Sequence, residues 1–153
     1  MYHLFKYNWH VRDEWFHWCK QLTAEDLLSD RVGGVGSILY TLFHIIDVEY
    51  SWIRAIQGEE DKVIEFKKYY TLENIISLSY ACRSDIEGFI EKNSQWLDDE
   101  HVTVSWDDEE FTKLEILNHV IVHEIHHHGQ LSVWARELNL VPVGANYIGR
   151  GLR

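Results

Sequence analysis

Five of the ten histidines of this chain lie within residues 119–128. The stretch contains no proline and sits in a long segment with apolar residues at helical spacing, which predicts a helix. Residues four apart lie on one face of a helix, so His123 and His127 point the same way. Two neutral imidazoles in this arrangement can bind one divalent metal ion. The spacing therefore predicts a metal site on this helix.

A third ligand is needed, because catalytic zinc sites use three protein ligands and one water molecule. The best candidate is His44, the histidine of a predicted helix over 37–57 that is apolar on nearly all sides. A single histidine on such a helix is also typical of a hydrogen-bonded core residue. The residues alone leave both interpretations open.

Glu124 lies between the two paired histidines, and residues 123–127 match the zinc-peptidase motif H-E-x-x-H. The longer form of that motif fails, because Gln130 and Val133 stand where it needs glycine and a third histidine. Proteolysis is therefore disfavoured. Glu124 also falls near the middle of the apolar face, where an unpaired carboxylate is costly. We predict that it has a partner and that it accepts a proton or orients a ligand imidazole.

The elements that position these residues are four long helices predicted from apolar periodicity. They cover 3–22, 37–57, 71–92 and the segment from the capping box at Thr112 and Glu115 to about Leu138. Residues 59–70 are predicted to be a linker and 93–111 irregular, with a small hairpin arm or edge strand at 101–106. The predicted fold is one all-α domain over 1–153, an antiparallel four-helix bundle with a long crossover.

Composition excludes some functions. The formal net charge is −11, with 25 acidic and 14 basic residues, so binding to nucleic acid or to anionic membranes is disfavoured. Cys19 and Cys82 have apolar neighbours and are predicted to be buried, reduced thiols. Neither a signal peptide nor a membrane span is predicted, which favours a cytoplasmic protein.

Two segments, 36–52 and 118–130, together resemble the DinB family, the DinB/YfiT-like metal-binding four-helix bundles. The resemblance covers nearly the whole chain. It implies that His44, His123 and His127 form a three-histidine site for a divalent metal, zinc or nickel, and that the protein is a homodimer. Some relatives transfer low-molecular-weight thiols, such as bacillithiol or mycothiol, to small electrophiles. One departure is His128, where the family often has arginine.

Several functions fit these observations. The first is a metal-dependent thiol S-transferase, in which Glu124 or Glu49 takes a proton or orients an imidazole. For Glu49, a hydrogen-bonded core carboxylate is an equal alternative. Metal-assisted hydrolysis is a close variant. The others are a non-catalytic metal-binding module of the stress response and an interaction protein that uses its seven tryptophans and eight tyrosines.

Overall fold

The computed structural model describes residues 1–93 and 100–152, and within them the chain forms five α-helices and one β-hairpin. In chain order these are α1 (Tyr2–Cys19), α2 (Ala24–Leu28), α3 (Ile38–Ile56), α4 (Leu72–Asn93), β1 (His101–Val104), β2 (Asp107–Thr112) and α5 (Lys113–Glu137). A single 3₁₀ turn, Phe66–Lys68, lies between α3 and α4. The fold is thus mostly helical with a small two-stranded sheet.

Side-chain caps determine where the two histidine-bearing helices begin. Ser37 Oγ accepts a hydrogen bond of 3.0 Å from the backbone N–H of Tyr40 at the start of α3. At the start of α5, the backbone N–H of Glu115 donates to Thr112 Oγ1, and the Glu115 carboxylate accepts from the N–H of Thr112. This capping box is confirmed as predicted. Because the caps fix the first residue, they also fix which face of each helix every histidine occupies.

The four long helices contact one another in a closed ring. Helix α3 packs against α4 and α5, and α1 packs against the same two helices from the other side. The most deeply buried residues of α3 are aliphatic apart from Thr41: Ile38, Leu39, Leu42, Ile45, Ile46 and Ile53. Each such side chain contributes about 1.5–3 kcal/mol on burial, so α3 anchors the core and holds its one histidine at a fixed place.

The predicted hairpin at 101–106 is present and extends to Thr112. Strand β1 pairs antiparallel with β2, and Val102 lies opposite Phe111 in the register. Residues 107–111 were expected to be irregular, and the strand there corrects that expectation. The acidic run of β2 has no apolar alternation, so only its pairing with β1 makes it a strand. The irregular structure predicted for 94–99 falls outside the described residues.

Two further predictions concern the cysteines and the first helix. Cys19 and Cys82 are both buried free thiols, as predicted, and burial raises the pKa of each to about 12. Helix α1 ends at Cys19, three residues earlier than the periodicity indicates. None of the helices in the described ranges is long and apolar enough to cross a membrane.

Candidate metal centre

Three histidines from two helices meet at one point of the structure. His44 Nε2 on α3 lies 3.0 Å from His123 Nε2 on α5, and His127 Nε2 lies 3.1 Å from the same atom. One nitrogen from each ring lies within 4.8 Å of both others. Imidazole nitrogens on one tetrahedral ion, each about 2.1 Å from it, would be about 3.4 Å apart. The donor set and spacing therefore fit a divalent metal ion after a small adjustment.

The convergence follows from the helix geometry. His123 and His127 are one turn apart on α5, and their rings are 4.4 Å apart, centroid to centroid. Helix α3 crosses beside this turn, so that the His44 ring lies 4.9 Å from His123 and 5.1 Å from His127. His44 and His123 are half-buried and His127 is buried. The cluster thus lies at the edge of the core, with a side open to solvent.

Burial keeps these imidazoles neutral. Desolvation, with the neighbouring His127, lowers the pKa of His44 to about 4. Desolvation, together with His127 and His44, lowers that of His123 to about 3. The pKa of His127 is lowered too, chiefly by burial. Neutral imidazole is the form that binds metals, so the site is in its binding-competent protonation state at pH 7.

Gln130 orients one of the three rings. Its Oε1 lies 2.7 Å from His127 Nδ1 and accepts that N–H, which leaves the Nε2 lone pair of His127 directed at the cluster. The amide nitrogen of Gln130 lies 3.1 Å from His126 Nε2 and donates to it. Gln130 is three residues beyond His127, and this spacing on one helical face is the signal in the sequence that identifies it.

The loop before α3 packs closely over this part of α5. A Cβ on Gly34 would lie 2.6 Å from the Trp134 ring and 3.0 Å from Gln130 Oε1, so only glycine fits there without rearrangement. Trp134 Nε1 also donates to the backbone oxygen of Val32, at 2.9 Å. The loop therefore holds Gln130 against the helix.

Glu124 is not one of the residues that meet at the three-histidine site, and it binds Arg12 of α1. Arg12 Nε and Nη2 donate to its two carboxylate oxygens, both at 2.7 Å. Arg12 Nη1 donates to Glu49 on α3 at 2.9 Å, and Trp9 Nε1 donates to the other oxygen of Glu49 at 2.8 Å. The predicted partner of Glu124 is thus present. It is an arginine that nothing in the spacing of α1 singles out.

These three charged residues form a sealed group, defined here as the charged cluster of Arg12, Glu49 and Glu124. Their side chains are 0%, 2% and 1% exposed. Burial by itself raises the pKa of Glu124, but the Arg12 charge and hydrogen bonds outweigh burial and hold that pKa at about 2. For Glu49, burial outweighs Arg12 and the pKa is raised. Arg12 is thereby paired chiefly with Glu124.

The other three histidines of residues 119–128 lie outside the group formed by His44, His123 and His127. His119 and His126 are exposed, although the His119 ring lies 5.7 Å from that of His123. His128 is buried, and its Nε2 lies 3.3 Å from Glu124 Oε1, so this histidine contacts the charged cluster. The structure therefore brings together His44, His123 and His127 and separates Glu124 from them.

The sequence is similar to known proteins over nearly the whole length of the chain. A family model described as the DinB family matches residues 1–150. One similar protein is the uncharacterized protein YizA of Bacillus subtilis (strain 168). It is 58% identical over 154 residues, which span 100% of this chain and 97% of the relative.

Proposed function

The chain belongs to the DinB family, and from this premise we propose that it is a metal-dependent transferase that joins a low-molecular-weight thiol to a small electrophile. His44, His123 and His127 are the metal ligands in this proposal. The observation that carries it is the convergence of three neutral imidazole nitrogens within 4.8 Å at a half-open edge of the core.

Three protein ligands favour a reactive site over a purely structural one. Structural zinc sites usually fill all four positions with protein ligands, whereas catalytic sites keep a position for water or substrate. The half-buried state of His44 and His123 leaves room for a small molecule to approach. Imidazole suits zinc and nickel alike, and we propose one of these two as the metal.

The chemistry would be a nucleophilic substitution. When bound, a divalent ion supplies positive charge that lowers the pKa of a thiol beside it, which favours the nucleophilic thiolate. The new bond joins the thiol sulfur to the electrophilic carbon, the carbon–leaving-group bond breaks, and the thiol proton passes to solvent. The chain contributes the fixed imidazoles, with Gln130 holding the tautomer of His127.

For Glu124 we propose a positioning role. Both of its oxygens accept from Arg12, so the carboxylate holds α5 against α1 at the residue that follows His123. In this way it helps to orient the His123 imidazole, which is one of the two roles predicted from the sequence. Glu49 has the same partner and is proposed to be a core carboxylate.

The architecture and assembly of the protein can be proposed in the same way. We infer that α1, α3, α4 and α5 form an antiparallel four-helix bundle, which their ring of contacts supports. We also propose a homodimer, since Val122, Ile125 and Val133 leave apolar surface exposed on the outer face of α5.

The transferase is tested with protein purified without a nickel resin or a histidine tag. The parent, His44→Ala and His10→Ala, whose exposed histidine lies on α1, are loaded with zinc or nickel and incubated with bacillithiol and a small alkyl halide. We expect the thioether to form with the parent and His10→Ala and to be lost with His44→Ala. Equal product with all three proteins would contradict the proposal.

A protein that binds metal without any turnover would instead be a non-catalytic module. One observation favours that second candidate. His128, which stands where relatives often have arginine, is buried beside Glu124 and cannot reach a substrate at the metal centre. Assays over several thiols and halides separate the two candidates.

A further inference from the structure

A cavity of about 340 Å³ lies between α3, the hairpin and α5. We call it the aromatic pocket and define it by its lining residues: Trp52, Asp107, Phe111, Glu115, Ile116 and His119. Its volume falls within the range of small-molecule sites, at about 300–1,000 Å³. None of these six lining residues is one of the three histidines of the candidate metal centre.

Three rings form the walls of the aromatic pocket and stand at steep angles to one another. The Phe111 ring lies 5.5 Å from that of Trp52, with an interplanar angle of 87°. The His119 ring lies 5.8 Å from Trp52, at 68°. Rings set nearly at right angles turn a face and edges toward the same space. A π face attracts a cation within about 6 Å of its centre, and aromatic sites that bind quaternary ammonium groups use this attraction.

Two carboxylates complete the lining. The Glu115 carboxylate is held by the N–H and the hydroxyl of Thr112, and these hydrogen bonds lower its pKa, so it stays ionised. Asp107 Oδ1 accepts from the N–H of Glu109 at 3.0 Å, which fixes the other carboxylate. No lysine or arginine is among the pocket's described lining residues. The pocket is therefore negative as well as aromatic.

The aromatic pocket adjoins the metal centre. His119, which lines it, lies one turn before His123 on α5, with the two rings 5.7 Å apart. His123 in turn lies 3.0 Å from His44, nitrogen to nitrogen. A small molecule seated in the pocket would therefore lie next to His119, a residue whose ring neighbours the metal centre.

We propose that the aromatic pocket binds an organic cation, an alkyl- or arylalkyl-ammonium group. Two fixed carboxylates supply the charge complement, and the rings of Trp52 and Phe111 supply apolar and π contacts. This assignment rests on the proposed function only in one respect: in the transfer reaction, the cation is the non-reacting part of the electrophile. The binding itself requires no metal.

Binding is measured by titration calorimetry with benzyltrimethylammonium. The change in intrinsic tryptophan fluorescence that is lost in a Trp52→Phe variant provides a second signal. Benzyl alcohol and benzoate serve as the neutral and anionic ligands of similar ring size. We expect the cation to bind at least about tenfold more tightly than either. Equal binding of the cation and benzyl alcohol would overturn the proposal.

Variants locate the site. The double variant Asp107→Asn/Glu115→Gln removes both charges while keeping acceptor oxygens for the capping bonds, since glutamine also serves in a capping box. We expect it to weaken cation binding about tenfold and to leave benzyl alcohol unaffected. Phe111→Leu, which keeps an apolar side chain at this position, is expected to weaken cation binding about threefold.

The matched control is Asp108→Asn/Glu110→Gln, which removes two exposed charges of the same strand that do not line the pocket. An equal loss in this control would mean that general surface charge, not the pocket, attracts the cation, and would overturn the assignment. His44→Ala tests independence from the metal centre. Cation binding that survives in His44→Ala while turnover is lost supports both proposals. Cation binding absent from the parent, with turnover intact, sinks the pocket proposal alone.

Discussion

The histidine cluster and the charged cluster lie side by side on the same helices and differ in how fully their polar atoms are satisfied. In the charged cluster, each carboxylate oxygen of Glu49 and Glu124 accepts a hydrogen bond from Arg12 or Trp9, and the three charged side chains are sealed from solvent. In the histidine cluster, three Nε2 atoms face one another at a half-open edge. The completed network contributes to the fold, whereas the incomplete one is suited to an added ligand.

The largest effect is expected where the completed network is broken. Arg12→Leu leaves two buried carboxylates without their cation, which should lower the free energy of unfolding by about 3–5 kcal/mol. Urea denaturation followed by circular dichroism measures it. The matched control is Arg83→Leu, whose ion pair with Asp13 is partly exposed and should contribute about 1 kcal/mol or less. An equal loss of unfolding free energy in Arg12→Leu and Arg83→Leu would contradict the contrast between a sealed ion pair and a partly exposed one.

The opposite outcome is expected in the histidine cluster. His123→Ala removes a proposed ligand that is half-buried and contacts His44 and His127, so metal affinity should fall more than about 100-fold while helicity stays unchanged. Metal content after dialysis, beside circular dichroism, tests this. His10→Ala, at an exposed histidine of α1, should keep the parental metal content. Near-equal occupancy in His123→Ala and the parent would remove the basis of the site.

A smaller effect is expected at Gln130, which touches the cluster only through His127. Gln130→Leu frees the His127 tautomer and should weaken metal binding about tenfold. Competition with a chromogenic chelator gives the affinity. Ser132→Ala is a suitable control, because Ser132 bonds only to the backbone oxygen of His128. An affinity that does not change in Gln130→Leu would show that the ring is held by packing alone.

The last effect is gradual and concerns pH. The pKa of His44 is about 4 in the folded protein and near 6.5 when unfolded, and that of His123 is lower still. The unfolded chain therefore takes up protons first, so the metal-free protein should lose stability as the pH falls from about 6.5 toward 4. Thermal melts at several pH values detect the trend. The double variant His44→Ala/His123→Ala should reduce the dependence of the melting temperature on pH. An unchanged slope of melting temperature against pH would contradict the lowered pKa values of these histidines.

The two clusters also differ in how far the sequence reveals them. The i, i+4 spacing of His123 and His127 follows from helix geometry, and the capping box fixes where α5 begins. His44 is an expected ligand only through family resemblance, because α3 is apolar on nearly all sides and its rotation is undetermined. The sequence does not identify Arg12 as the partner of Glu124, for a related reason. An arginine on a helix is usually solvated, and only the packing of α1 between α4 and α5 buries it.

The hairpin shows a similar limit. Alternation at 101–104 predicts β1, but β2 is acidic and exposed along most of its length and becomes a strand only through pairing. The aromatic pocket depends on that pairing, because Phe111 and Asp107 reach it from β2. Sites that combine distant segments by tertiary contact cannot be found from local periodicity.

His123 and Glu124 are consecutive residues, and this has a bearing on which metal the protein acquires. The bidentate bond between Glu124 and Arg12 locks the rotation of α5, so the imidazoles are already in place before any ion arrives. Uptake then demands little rearrangement. Because imidazole is a ligand for zinc, nickel, copper and iron alike, the donor type discriminates little among these ions, and the resident ion should follow the metal that the growth medium provides.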